Sequence, residues 1–102
     1  MLQAQDSFIA KILKQRIQEI TPVEQMIVFG SRVRGDAIEE SDLDVFIELP
    51  VLTPALRQQI FEIAWEISLD RGVVISTLVA SGPNPLNGQP IRLAIEREGV
   101  VV

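Results

Sequence analysis

The 102-residue chain contains no cysteine, no histidine and no tyrosine. Without cysteine there is no disulfide, no thiolate nucleophile and no cysteine-ligated zinc. Without histidine there is no imidazole base and no histidine metal site. Acid–base or metal chemistry must then draw on carboxylates, which suit hard cations such as magnesium or manganese. A chain without tyrosine cannot modify a tyrosine of its own. The sequence also lacks any apolar run long enough to span a bilayer, and its first residues lack the basic-then-apolar order of an export signal. A cytoplasmic protein with no membrane association is expected.

What is present suits a folded domain. Hydrophobic residues make up 47% of the chain, enough for a real core and too many for disorder. The length predicts one domain spanning residues 1–102. The net charge of −5 argues against direct binding of nucleic acid over a broad basic surface. The acidity is uneven: Asp36, Glu39, Glu40, Asp42, Asp44 and Glu48 cluster, and no basic residue lies between Arg34 and Arg57. A solvated loop accounts for Asp36, Glu39 and Glu40. It accounts less well for Asp42 and Asp44, which adjoin a strand.

Hydrophobic spacing predicts a helix over Asp6 to Ile20, capped by Asp6 or Ser7, with Phe8, Ile9, Ile12, Leu13, Ile17 and Ile20 on its apolar face. A strand follows from Gln25 to Phe29, closed by Gly30, and then one tight helical turn from Ser31 to Gly35. A second strand is expected from Asp42 to Leu49. Thr53-Pro54 is a strong helix start and Gly72 a stop, with Leu56, Ile60, Phe61, Ile63, Ala64 and Ile67 as the buried stripe. Trp65 is expected to pack on that helix rather than to stack on a base. A third strand, Val73 to Ala80, is joined to the second by the helix, so the two should run parallel. Residues 81–90 form a connector, Ile91 to Glu98 a short helix, and Val100 to Val102 an edge strand.

The stretch Val28 to Leu49, VFGSRVRGDAIEESDLDVFIEL, holds the chemistry. Alternation along a strand puts Asp42 and Asp44 on one face and sends Leu43 and Val45 into the core. Two residues of rise separate the carboxylates by roughly 7 Å, close enough to converge on one ion or on two ions ~3.5–4 Å apart. Without a cation they would repel and be costly to desolvate. Gly30 allows a sharp turn and close approach of a phosphate. Ser31 opens a helical turn whose free N–H groups favour anions, and its hydroxyl can donate to a phosphate oxygen. Arg32 and Arg34 add positive charge. If the first two strands are antiparallel, phosphate-holding donors and metal-holding acids meet at one edge of the sheet.

The sequence G-S-R-V-R-G, followed after ten positions from Ser31 by S-D-L-D-V-F-I, resembles the signature of the minimal nucleotidyltransferases, small relatives of DNA polymerase beta and kanamycin nucleotidyltransferase. The likeness covers roughly Ile12 to Val79, and the tail IEREGVVV also resembles the ending of these proteins. The resemblance implies an α/β (α+β) polymerase beta-like fold with a small mixed sheet of about three strands packed against helices. It implies that Gly30 and Ser31 hold the β- and γ-phosphates of ATP, that Arg32 assists there, and that Asp42 and Asp44 are catalytic and bind magnesium. Arg34 either joins them or pairs with Asp36 or Glu40 to fix the turn.

The family context implies transfer of AMP to a hydroxyl on a partner, in the role of antitoxin to a small all-helical HEPN-type toxin. Self-association as a homo-oligomer is left open. One departure stands out. The family places a third carboxylate near the start of the next strand, where this chain has Val74 and Ser76. Asp70 reads as a surface residue, and Glu48 lies about 13 Å along the strand from the metal end. The competing reading is accordingly a catalytically weakened module that binds nucleotide or neutralises a toxin by contact.

Overall fold

In a computed structural model, which describes residues 2–102, four strands and four helices alternate along the chain. Helix α1 spans Ala4–Gln18, strand β1 Gln25–Phe29, the single turn α2 Ser31–Arg34, β2 Leu43–Leu49, α3 Pro54–Arg71, β3 Ile75–Ser81, α4 Pro90–Glu98 and β4 Val100–Val101. The sheet order is β3-β2-β1-β4. Strand β1 is antiparallel to both β2 and β4, and the β2–α3–β3 crossover makes β2 and β3 parallel, as the sequence predicts. The tail strand brings the sheet to four strands where about three were expected.

Period-two alternation sorts the strands between two apolar layers. Met26 and Val28 of β1, with Leu43, Val45, Ile47 and Leu49 of β2, pack with Ile9, Leu13 and Ile17 of α1 and Ile60, Ala64 and Ile67 of α3. The intervening residues Ile27, Phe29 and Phe46 face the other way and pack with Ile95 of α4. Asp44 and Glu48 share the Phe46 side of β2 by the same alternation. Helix α3 follows its sequence signals closely. The Thr53 hydroxyl accepts from the Leu56 N–H, Pro54 takes the first helical position, and Gly72 closes the helix in the left-handed conformation. The buried Ser68 hydroxyl donates to the Ala64 carbonyl and accepts from the Ile75 N–H, tying α3 to the start of β3.

Three expectations change. Helix α1 begins at Ala4, with Gln3 at the cap and no side-chain capping bond. Asp6 is therefore no cap. It is 2% exposed and accepts two hydrogen bonds from Arg32, at 3.1 and 3.2 Å. Burial of an ion pair outweighs capping here because Arg32 reaches the first turn from α2. The apolar stripe of α3 is also wider than its core contact: Phe61, Trp65 and Leu69 are more than half exposed, so Trp65 does not pack as expected. Phe8 of α1 is likewise exposed, with the Arg71 guanidinium 5.3 Å from its ring centre. Lastly, β2 begins at Leu43, so Asp42 stands just before the strand.

Removing the Asp6 carboxylate leaves a mostly buried guanidinium without its counter-charge. Asp6→Ala is expected to cost about 3 kcal/mol, whereas Asp36→Ala, at an exposed pair with Arg34, is expected to cost under ~1 kcal/mol. Urea denaturation of both variants checks the contrast.

Candidate functional site

The site is assembled where β1 ends and β2 begins. The antiparallel register sets Phe29 opposite Asp44, so the residue after Phe29 arrives beside that carboxylate. Gly30 turns there with φ +87°, and a Cβ at this position would overlap a carboxylate oxygen of Asp44. Glycine is required twice over, for the left-handed backbone and for the close approach. Ser31 then opens α2 half-exposed, and its hydroxyl makes no hydrogen bond to another side chain or carbonyl among the described residues.

Asp42 is exposed and Asp44 half-buried. Burial raises the Asp44 pKa above the ordinary carboxylate value, and the neighbouring charge of Asp42 raises it further. Arg34 opposes the rise and Glu98 adds to it. These influences bring Asp42, Asp44, Arg34 and Glu98 into one electrostatic neighbourhood. A hard divalent cation fits such a corner, because it would relieve the repulsion that the two aspartates impose on each other. Among the described residues no group of three or more histidine, cysteine or acidic side chains gathers at metal-holding spacing. Two carboxylates nevertheless suit magnesium, which commonly retains waters and takes its remaining oxygens from phosphates.

The two arginines divide their work. Arg32, expected at the phosphates, is spent elsewhere: its guanidinium binds Asp6 and donates to the carbonyls of Ser41, at 2.8 Å, and Glu39, at 3.1 Å. It pins the loop that delivers Asp42. Arg34 is half exposed and stays at the corner, bonded to Glu98 at 3.0 Å and Asp36 at 3.4 Å. Those partners, Glu98 first, hold its guanidinium still more firmly protonated. The Asp36 half of the turn-fixing pair foreseen for Arg34 is present, and Glu98 takes the place of Glu40.

Sequence reasoning missed Glu98. Its carboxylate accepts from the Gly30 N–H at 3.1 Å as well as from Arg34. The cause lies in the β1–β4 register, which pairs Ile27 with Val101 and Val28 with Val100. Carried two places on, that register sets residue 98 opposite residue 30. The expected position of a third acid is empty of carboxylates, since Asp44 pairs in register with the exposed Ser76. Beside Asp42, between α3 and β3, a cavity of about 300 Å³ is lined by Phe61, Trp65, Ser68, Val74 and Ser76.

A family model for the nucleotidyltransferase domain matches residues 9–98, which include every one of these side chains except Asp6. The chain belongs to the nucleotidyltransferase domain family. A Methanocaldococcus jannaschii chain named as a candidate protein adenylyltransferase is 37% identical over 79 residues, covering 70% of this chain and 78% of the relative. Among solved structures, a toxin–antitoxin complex with AMP-PNP superposes with a TM-score of 0.64 at 19% identity, over 91% of this chain and 70% of that one. A mutant MntA–HpeT toxin–antitoxin complex gives 0.63 at 17% identity with the same coverage. A candidate nucleotidyltransferase from Sulfolobus solfataricus gives 0.57 at 19% identity, over 95% of this chain and 81% of that one. The nucleotidyltransferase fold inferred from the Gly-Ser and Asp-x-Asp spacing is thereby shown. No helix among the described residues is long and apolar enough to cross a membrane.

The raised Asp44 pKa makes a signed prediction. The native state holds this proton more tightly than the unfolded chain, so the linked stability is present at low pH and is lost as pH rises through the raised value. At neutral pH Asp44 therefore destabilises the metal-free protein. Asp44→Asn is expected to raise the metal-free Tm at pH 7, and to give no gain at about pH 3, where the native Asp44 is already protonated. Melting curves at the two pH values check it.

Proposed function

We propose that this chain transfers AMP from magnesium-bound ATP to a hydroxyl on a partner protein in the cytoplasm, as antitoxin to a small all-helical HEPN-type toxin. The observation that carries the reading is the corner itself. The Gly30 backbone and the Arg34 guanidinium lie in the neighbourhood of Asp44, Ser31 opens the turn that follows Gly30, and among the described residues neither Asp42 nor Asp44 makes an ion pair. Family membership supports the reaction class, and the names borne by the archaeal relative and the toxin–antitoxin neighbours favour a protein acceptor.

In this reading Ser31, Arg34 and the Gly30 N–H bind the β- and γ-phosphates, and the missing side chain of Gly30 lets the backbone approach them. Asp42 and Asp44 would hold the divalent cation, which when bound would supply neutralisation of the phosphate charge. Arg32 acts through Asp6 and the loop carbonyls, holding Asp42 in place. The acceptor hydroxyl enters by the cavity beside Asp42 and attacks the α-phosphorus. An O–P bond forms as the bond to pyrophosphate breaks, and pyrophosphate leaves with the electron pair.

One observation favours the weaker alternative, a module that binds nucleotide or neutralises a toxin with little turnover. Ser76 of β3 pairs in register with Asp44, and Val74, just before the strand, accepts from the Leu43 N–H, so no carboxylate at these positions receives the hydroxyl proton. The proton passes to water, and transfer is slow.

Incubation with radiolabelled ATP, magnesium and the HEPN partner tests the proposal. Label is expected on the partner, and Asp42→Asn with Asp44→Asn is expected to abolish both the labelling and magnesium-dependent ATP binding. Binding that survives the double substitution with no labelling of the partner by the wild type would leave no ground for the assignment.

Ser31→Ala removes one hydroxyl donor to a charged acceptor, worth about 1.5–3 kcal/mol. Calorimetry is expected to show ATP affinity falling tenfold or more with AMP affinity nearly unchanged, because AMP lacks the phosphates that Ser31 contacts.

A further inference from the structure

Glu98 reaches the corner from the last residue of α4, is about one-fifth exposed, and spends one carboxylate oxygen on two donors at once. Those donors, the Gly30 N–H at 3.1 Å and an Arg34 nitrogen at 3.0 Å, are groups that the phosphates are proposed to use. A phosphate oxygen and a carboxylate oxygen ask the same thing of a donor pair: a negative charge at hydrogen-bonding distance. The two anions cannot hold the same donors together, and Glu98 already adds to the charge that raises Asp44.

We infer that Glu98 is an internal competitor for the polyphosphate, an affinity-setting residue that must release the Gly30 N–H and Arg34 before the triphosphate can take them. The inference rests on the nucleotide reading and goes beyond it, by giving a site residue that opposes binding. It also fits the geometry of the segment. Glu98 is followed by Gly99, where a Cβ would overlap the Ile95 carbonyl oxygen and the Ile27 side chain, and then by β4. The backbone at residue 98 is therefore held by the β1–β4 pairing, and the release is a side-chain rotation rather than a movement of the chain. The competitor has a structural use as well. It keeps a half-buried N–H and a guanidinium paired in the empty protein, with Arg34 already directed at the corner.

The test measures binding of inorganic tripolyphosphate without divalent cation, by calorimetry, to the wild-type chain and to Glu98→Ala, Glu98→Gln and Glu96→Gln. Glu96 lies on the same helix and pairs with Arg92, so its substitution gives the same change in net charge away from the corner. Glu98→Ala is expected to bind about tenfold more tightly than wild type, the effect of removing one charge-assisted competing bond. Glu98→Gln, which keeps an oxygen acceptor but loses the charge, is expected to fall between, and Glu96→Gln to match wild type. Should Glu98→Ala fail to fold, Glu98→Gln decides alone, with tighter binding than Glu96→Gln expected.

Equal or weaker binding by the Glu98 variants, with the wild type binding, would overturn the competitor and leave the nucleotide reading standing. A tightening matched by Glu96→Gln would reduce the effect to bulk charge and would also overturn it. No binding of tripolyphosphate by any of the chains, with or without magnesium, would overturn both.

Discussion

The approach of the Gly30 backbone to the Asp44 carboxylate is the constraint on which the site depends. It requires a residue without a Cβ, a left-handed φ, and a register that sets the end of β1 against the start of β2. Given these, the turn that begins at Ser31 has one place to go, and its donors face the acids from a neighbouring strand. A side chain at position 30 would separate the two halves, and a register slip of one residue would turn Asp44 into the core and Val45 out to the corner. Donors and acids are brought together by backbone pairing, so their relative position is as rigid as the sheet.

Charge is arranged around that corner with a division of labour. Arg32 is buried on Asp6 and two loop carbonyls, so it reinforces the path of residues 39–42. Arg34, two residues on, lies outside the core and is held at the corner by Glu98 and Asp36. Residues two apart on a helical turn lie about 200° from each other round its axis, which is why two arginines so close in sequence serve different ends. The acids are likewise split. Asp42 is open to solvent at the mouth of a cavity, whereas Asp44 is half-buried and carries the burden of desolvation. Repulsion between them opposes the stability of the empty protein and favours a bound cation, the common signature of a site kept for binding rather than for folding.

The surface beside the cavity is apolar to an unusual degree for α3. Phe61, Trp65 and Leu69 recur at four-residue spacing on the helix face turned away from the main core, and Val74 continues the patch toward Asp42. Helical periodicity alone cannot distinguish a stripe that meets the sheet from one beside it, because both repeat every turn. The sheet is wide enough to cover Ile60, Ala64 and Ile67 and leaves the adjacent stripe outside.

Much of this protein was legible in its sequence because the signals are local. Strand β1 was placed to the residue, α3 was bounded by Thr53-Pro54 and Gly72, and the inward-facing Leu43 and Val45 followed from alternation. The parallel β2–β3 pair followed from the length of the crossover, and the family from the spacing of Gly30-Ser31 to Asp42 and Asp44. What tertiary structure decided were pairings between distant segments. Asp6 read as a cap until Arg32 was seen to reach it across 26 positions, and Arg32 read as a phosphate ligand for the same reason. Glu98 carried no local signal, since its place at Gly30 is set by a two-residue strand, β4, whose partner β1 lies some seventy positions earlier. A side chain's periodicity and caps depend on neighbours within a few residues, which the sequence displays directly. The partner of a charged group depends on which backbone segments lie side by side, and that is determined only when the whole sheet has formed.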